Sequence, residues 1–383
     1  MKFGHRCWQG VVVLALVLAG APVARGQQEI TVGVVFSQTG AISNWGQGEL
    51  AAVKYVIEQA NKSGKFGARK VVLIERDDRS DPRVIAQVGR ELAGEGKIIA
   101  ILGSSGSGPT TVLKQITLEA RIPHLAPVGA PNFTASNFEY FYRTYVNDEV
   151  TARAVLDIVR TKLNKRRIAV INSAEPFGEG KATQLQRYAK EFEVEIVAHE
   201  TFPVDAADMT AQLTAIKRAE PEVLVTWTGG KSLATLFKNI RQLGFKIPVM
   251  GSPTSGTLPI LNAAGPDAVE GVIYPAQLAR DMPRPGHQAD AIRKWETETG
   301  KPFDNTILLG YQTAEALVHA LARMTADGAQ FDRATLKAYL DRTTLESVGG
   351  PLRYTAKSHE GFDISAVEPV VIRGGKNVLL RVK

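Results

Sequence analysis

The stretch of this 383-residue chain whose residue types best suit a ligand is Gly103-Ser104-Ser105-Gly106-Ser107-Gly108. It follows the apolar run Ile98-Ile99-Ala100-Ile101-Leu102 and leads into Pro109-Thr110-Thr111. Open parallel sheets bind ligands beyond the carboxyl ends of their strands, and small residues there leave backbone N–H groups uncovered. With Ser107 or Gly108 as N-cap and Pro109 at the first helical position, the next helix turns its positive end toward that cleft. This setting suits a carboxylate or a phosphate. Ser105 and Ser107 are the candidate ligand-binding hydroxyls. A plain capped strand-to-helix turn has the same residues, and the turn alone does not separate the two readings.

Other patterns carry less. Gly46-Gln47-Gly48-Glu49-Leu50-Ala51 fits a dinucleotide fingerprint but starts about ten residues after the strand ending at Phe36, whereas the fingerprint follows its strand at once. Gly229-Gly230-Lys231-Ser232 looks like the end of a phosphate loop, yet Val225 stands where the first glycine belongs. His124, His199, His287, His319 and His359 are scattered, with no His-Glu-x-x-His pair and no Gly-x-Ser-x-Gly elbow. No catalytic residue, metal site or cofactor is therefore expected. Lys165-Arg166-Arg167 reads as a solvated turn, and no nucleic-acid partner is expected.

The elements that must position these residues follow an alternation of short apolar runs and amphipathic segments, the mark of βαβ units and a parallel sheet. The fold class is α/β. Strands are predicted at Ile30–Phe36, Val71–Glu75, Ile98–Leu102, Ile168–Ile171, Val194–Ala198, Val223–Trp227, Val249–Gly251 and Val272–Tyr274. Helices are predicted at Gly48–Lys62, Pro82–Gly94, Thr110–Ala120, Val150–Leu163, Met209–Ala219, Leu233–Leu243, Gln288–Thr299 and Leu308–Ala326. A β-rich tail follows Gly349-Gly350-Pro351, with a hairpin turn at Arg373-Gly374-Gly375-Lys376-Asn377.

Composition agrees with an ordinary folded protein of about two domains: 44% hydrophobic, 22% charged, with 35 Gly and 19 Pro. Lys2, His5 and Arg6, the apolar run Val11–Ala19 and the small residues Gly20-Ala21-Pro22-Val23-Ala24-Arg25-Gly26 come in the order of a secretory signal peptide, residues 1–26. Cleavage near Gly26 would remove Lys2, Arg6 and Arg25 from a chain of net charge +7, and with them Cys7, the only cysteine. No later stretch approaches the roughly 20 apolar residues of a membrane span. An exported, periplasmic, cysteine-free protein is expected.

A series of short motifs then resembles a known family. Gly33-Val34-Val35-Phe36-Ser37-Gln38-Thr39-Gly40 and Asn61-Lys62-Ser63-Gly64 are similar to the opening of periplasmic branched-chain amino-acid binding proteins of ABC transporters. Asp77-Asp78 with Asp81-Pro82, Gly103-Ser104 with Ser107, Ile122-Pro123, Phe141-Tyr142-Arg143-Thr144, Phe177-Gly178-Glu179-Gly180 and Leu243-Gly244 continue the family order. The resemblance implies two doubly wound α/β lobes joined by three hinge crossovers, the type I periplasmic-binding-protein clamshell. Lobe one would be 28–147 plus 276–350, and lobe two 148–275 plus 351–383. It also implies that Ser107 binds a ligand carboxylate, that Ala130 offers only its N–H where a hydroxyl residue is usual, and that Trp45 and Phe177 line the pocket. Trp227, ending a lobe-two strand, is expected to face the same cleft.

One departure matters. Where classical amino-acid binders carry a glutamate for the ligand ammonium, this chain has Ser252-Pro253-Thr254, with Thr254 as the candidate contact. An unpartnered buried ammonium would cost several kcal/mol. Either Glu175 or Asp281 reaches in, or the solute carries no ammonium and is an acid with an apolar or aromatic body. The implied function is a monomeric solute receptor that delivers a carboxylate-bearing solute to a membrane permease. The alternatives are a ligand-sensing clamshell that signals to a regulator and an exported hydrolase.

Overall fold

The computed structural model describes Met1 and residues 28–130, 139–279 and 281–381. Apart from Met1, the expected signal peptide with Cys7 lies outside the described residues, as do Val382 and Lys383. No described helix is long and apolar enough to cross a membrane.

Two sheets organise the chain. The first has the order β2-β1-β3-β4-β5, built from β1 (Gln28–Phe36), β2 (Arg69–Asp77), β3 (Ile98–Gly103), β4 (His124–Ala126) and β5 (Phe141–Arg143), all parallel. Helices α1 (Ser43–Lys62), α2 (Pro82–Gly94) and α3 (Ser107–Glu119) connect its strands. The buried run Ile30–Phe36 serves both faces of this sheet: Val34 and Phe36 pack with Leu50 and Val53 of α1, while Val35 packs with Ile85 of α2 and Leu113 of α3. Continuous apolar strands are what a sheet covered on both sides requires.

The second sheet contains β6 (Arg167–Ser173), β7 (Glu195–Phe202), β8 (Val223–Trp227), β9 (Val249–Met250) and β10 (Ile273–Ala276) in parallel. The C-terminal hairpin β14 (Glu368–Arg373) and β15 (Lys376–Leu379) adds to its edge antiparallel, giving the order β15-β14-β10-β9-β8-β6-β7. Around it lie α4 (Asp148–Asp157), which runs on into a π-helical turn at Ile158–Lys162, α5 (Pro176–Ala189), α6 (Thr210–Arg218), α7 (Gly230–Gln242), and the short α8 (Leu258–Ala264) and α9 (Pro266–Val269).

Between β10 and β14 the chain returns to the first lobe, through α10 (Gly286–Thr299), α11 (Asn305–Ala326) and α12 (Arg333–Leu340). Leu317 and Leu321 of α11 join the core of β1 and α1. The chain therefore crosses between lobes after β5, after β10 and before β14. The third crossing falls later than the sequence implies. Strands β11 (Thr344–Ser347), β12 (Gly350–Thr355) and β13 (Ser358–Gly361) form a separate small antiparallel sheet, and Leu352, Tyr354 and Phe362 are buried in the first lobe's core. Lobe two resumes at Glu368 rather than at 351, because the apolar side chains of β12 find their partners on β5 and α11.

Arg143, at the end of β5, fixes this corner. Its guanidinium is fully buried, donates to the carbonyls of Val128 and Ala130 and to Glu360 of β13 at 2.8 Å, and so ties the loop after β4 to the third crossing. Removing one member of a buried pair leaves the others unsolvated and costs about 3–5 kcal/mol. Arg143→Leu is thus expected to lower unfolding free energy by about that amount in urea denaturation. A loss under about 1 kcal/mol would show that the corner does not depend on this fork.

Candidate functional site

The cleft is built where strand ends of the two sheets face each other. From the first lobe, β3 ends in the turn that starts α3. The helix begins at Ser107, so Gly106, with φ +73°, is the N-cap, and Pro109 is the third helical residue. The expectation of Ser107 or Gly108 as cap was one or two residues late, because glycine alone suits that backbone angle. Ser107 is 3% exposed, and its Oγ accepts from the N–H of Ala130 at 3.4 Å. The hydroxyl and the amide singled out from the sequence thus meet at the mouth of α3. Ser105 does not join them: its Oγ donates to Glu49 Oε2 of α1.

From the second lobe come α5, the end of β8 and the loop after β9. Glu175 caps α5, accepting from Phe177 N at 2.7 Å, Gly178 N at 2.9 Å and Ser173 Oγ at 2.8 Å. Burial pushes its carboxyl above the ordinary value in spite of these donors. The cap places Phe177 on the first turn, where its ring meets Trp45 of α1 edge to face across the cleft, centroids 5.8 Å apart. Gly229, after β8, completes this contact: a Cβ there would lie 2.8 Å from Trp45 Cζ2. Thr254 is 5% exposed and its Oγ1 is 3.0 Å from Ser252 Oγ.

Both acids proposed to replace the missing glutamate have hydrogen-bond partners within the protein. Both oxygens of Glu175 are engaged in capping, and Asp281 is exposed and accepts from Asn377 N at 3.0 Å. Trp227 is fully buried in the lobe-two core, so it sits behind the cleft wall. Its ring lies against Lys181 of α5, whose Nζ is 5.6 Å from the Trp227 centroid and 4.8 Å from that of Phe177.

Three residues of this region have no counterpart among the sequence candidates. Lys181 and Asp148 form a fully buried ion pair, Nζ to Oδ1 2.5 Å. Asp148, the first residue of α4, also donates its N–H to Gly129 O at 2.8 Å. The third is Glu49, with no exposure and with Oε1 unpartnered. Helical spacing would have found two of them. Lys181 stands four residues after Phe177, on the same face. Glu49 falls three and four residues before the buried Ala52 and Val53, on the apolar stripe of α1. Among the described residues no group of three or more His, Cys, Asp and Glu side chains could hold a metal ion.

Comparison with known proteins agrees with this architecture. The sequence model of a periplasmic binding protein family matches residues 29–367. A Leu/Ile/Val-binding protein of Citrobacter freundii is 23% identical over 358 residues, covering 93% of this chain and 94% of that one. An extracellular ligand-binding receptor from Rhodopseudomonas palustris HaA2 superposes with a TM-score of 0.82 at 22% identity, over 92% of this chain and 100% of the other. A solute-binding protein of an ABC transporter from R. palustris, solved in complex with benzoate, gives 0.80 at 20% identity, over 92% and 95%.

Glu49 supplies a pH test of the cleft floor. Desolvation raises its pKa from 4.5 to about 8, with the Ser105 hydrogen bond opposing and the Asp78 charge adding to the rise. Below pH 4.5 the group is protonated in both folded and unfolded states. Between 4.5 and about 8 the unfolded chain has released a proton that the folded protein keeps, so stability falls as pH rises, by up to about 1.4 kcal/mol per unit. Glu49→Gln removes this slope. Urea midpoints are expected to move in the variant's favour from pH 5 to pH 8, and a constant difference between the two proteins would contradict the assignment.

Proposed function

This chain belongs to the periplasmic binding protein family, and from that premise we propose that it is the periplasmic receptor of an ABC importer. It takes a small carboxylate-bearing solute between its lobes and presents the closed form, as a single chain, to a membrane permease. Its relatives are binding proteins, and capture by closure requires no chemistry on the solute.

The observation that carries the reading is the pairing of Ser107 Oγ with Ala130 N–H at the start of α3. Two donors within 3.4 Å of each other, at the positive end of a 13-residue helix, can both turn to the oxygens of one carboxylate. Arg143 holds Ala130 in place through its carbonyl at 3.2 Å. Opposite, Trp45 and Phe177 offer flat apolar surfaces, and Thr254 lies near their junction. Ser105 and Trp227 support the walls from behind.

The Ser252-Pro253-Thr254 departure supports a reading of the solute class. Ser252 and Thr254 bond to each other, Glu175 caps α5, and Asp281 is turned to the C-terminal hairpin. Each of these groups already has a partner within the protein. The reading is therefore an acid with an apolar or aromatic body, in line with the benzoate bound by the R. palustris solute-binding protein. A branched-chain amino acid is the close competitor, in line with the name of the C. freundii relative.

Calorimetry with benzoate and with leucine tests the solute class: benzoate is expected to bind and leucine to bind more weakly, and tight leucine binding would contradict the aromatic-acid reading. Ser107→Ala is expected to weaken a carboxylate ligand by about 1–3 kcal/mol. Thermal shifts at ligand 100-fold over the dissociation constant, worth about 2.7 kcal/mol in the parent protein, read out both. Unchanged affinity in the variant would remove Ser107 from the site.

A further inference from the structure

Helix α7 opens without the side-chain cap that α4 and α5 carry. Asn147 caps α4 and Glu175 caps α5, whereas the N-cap of α7 is Gly229, which has no side chain to offer. Backbone geometry does not call for glycine there: φ is −133° and ψ is −178°, extended values that any residue adopts. Ser, Thr, Asp or Asn at this position would accept from an N–H of the first turn. What excludes them is the other lobe. A Cβ on Gly229 would stand 2.8 Å from Cζ2 and 3.0 Å from Cη2 of Trp45. Phe177 meets the same indole edge to face, centroids 5.8 Å apart, so Trp45 of lobe one is seated against Gly229 and Phe177 of lobe two. Both rings stand on anchored backbone. Gly46, next to Trp45, lies on the Ser37 carbonyl just after β1, and Gly178, next to Phe177, lies on that of Ser173 at the end of β6; a Cβ on either would come 2.2 Å and 2.3 Å from those oxygens.

We propose that Gly229 is a positioning residue for lobe closure: the position is left bare so that Trp45 can seat between Gly229 and Phe177, and the depth of that seat sets how tightly the closed cleft holds its solute. This deepens the receptor reading and rests on its closure step, whichever solute enters. A ligand captured by closure stays only as long as the closed form lasts, so a group that props the lobes apart speeds its escape. A methyl group forced under van der Waals distance of a rigid indole is accommodated by opening that contact. With the lobes apart, a side chain at 229 meets only α7, whose first turn it caps. One substitution therefore acts on closure and on folding in opposite directions.

Calorimetry with benzoate and with leucine, and urea denaturation without either, on the full chain and three variants test this. Gly229→Ser is expected to weaken whichever of the two the unaltered protein binds by about tenfold or more, with a urea midpoint at or above the parent's. Trp45→Phe shortens the ring that occupies the seat, so it sets the reference for Gly229→Ser combined with Trp45→Phe. The combined variant is expected to bind within about threefold of that reference, because the serine no longer meets the ring. Affinity within about twofold of the parent in Gly229→Ser overturns the proposal. A loss of about tenfold on adding Gly229→Ser to Trp45→Phe also overturns it, since the effect would not pass through Trp45. A loss of affinity matched by a lowered urea midpoint would mark a fault in folding and overturn it as well. In each of these cases the receptor reading stands, because the unaltered protein still binds. Failure of the unaltered protein to bind either compound overturns both.

Discussion

A charge buried in the dry space between two lobes must be paired, and the junction of this protein is arranged under that constraint. Lys181 and Asp148 sit there with no exposure, each bonded to the other. Glu175, close to Asp148, spends both oxygens on the first turn of α5. Glu49, at the floor of the first lobe, is pushed to about 8 by burial, so it stays largely neutral near pH 7.

The fold serves that constraint by holding each donor on a separate rigid support. Ser107 rides on α3, Ala130 on a loop pinned by the buried Arg143, and Phe177 and Lys181 on one face of α5 behind the Glu175 cap. Each lobe has its own core: β1 with α1 and α11 in the first, β6 and β8 with α4, α5 and α7 in the second. Closure can therefore bring the supports together without rearranging either core. At Gly229 and Gly129 the lobes approach so closely that a side chain would strike Trp45 or Asp148.

Much of this was legible in the sequence, because continuous apolar strands and capped amphipathic helices are local signals. The runs Ile30–Phe36, Ile98–Leu102 and Val223–Trp227 became central strands, and Pro82–Gly94 became a helix with the predicted ends. Strands of three residues, His124–Ala126 and Phe141–Arg143, are too short to show a period. The β-rich tail expected after Gly349-Gly350-Pro351 was placed wholly in lobe two, because which lobe Gly350–Thr355 joins depends on a distant partner on β5. Ser107 with Ala130 and Trp45 with Phe177, which the family resemblance had singled out, lie beside each other. Lys181 and Asp148 were not legible as a pair: they lie 33 positions apart, and only the packing of α4 against α5 in the second lobe brings them together.

We propose that the cleft takes a carboxylate without an ammonium. A matched pair isolates that one group: leucine and 4-methylpentanoate share a side chain and a carboxylate and differ by the ammonium. Competition calorimetry on the unaltered protein is expected to place 4-methylpentanoate ahead by about tenfold or more, equivalent to about 1.4 kcal/mol. Leucine binding more tightly than 4-methylpentanoate would contradict the account.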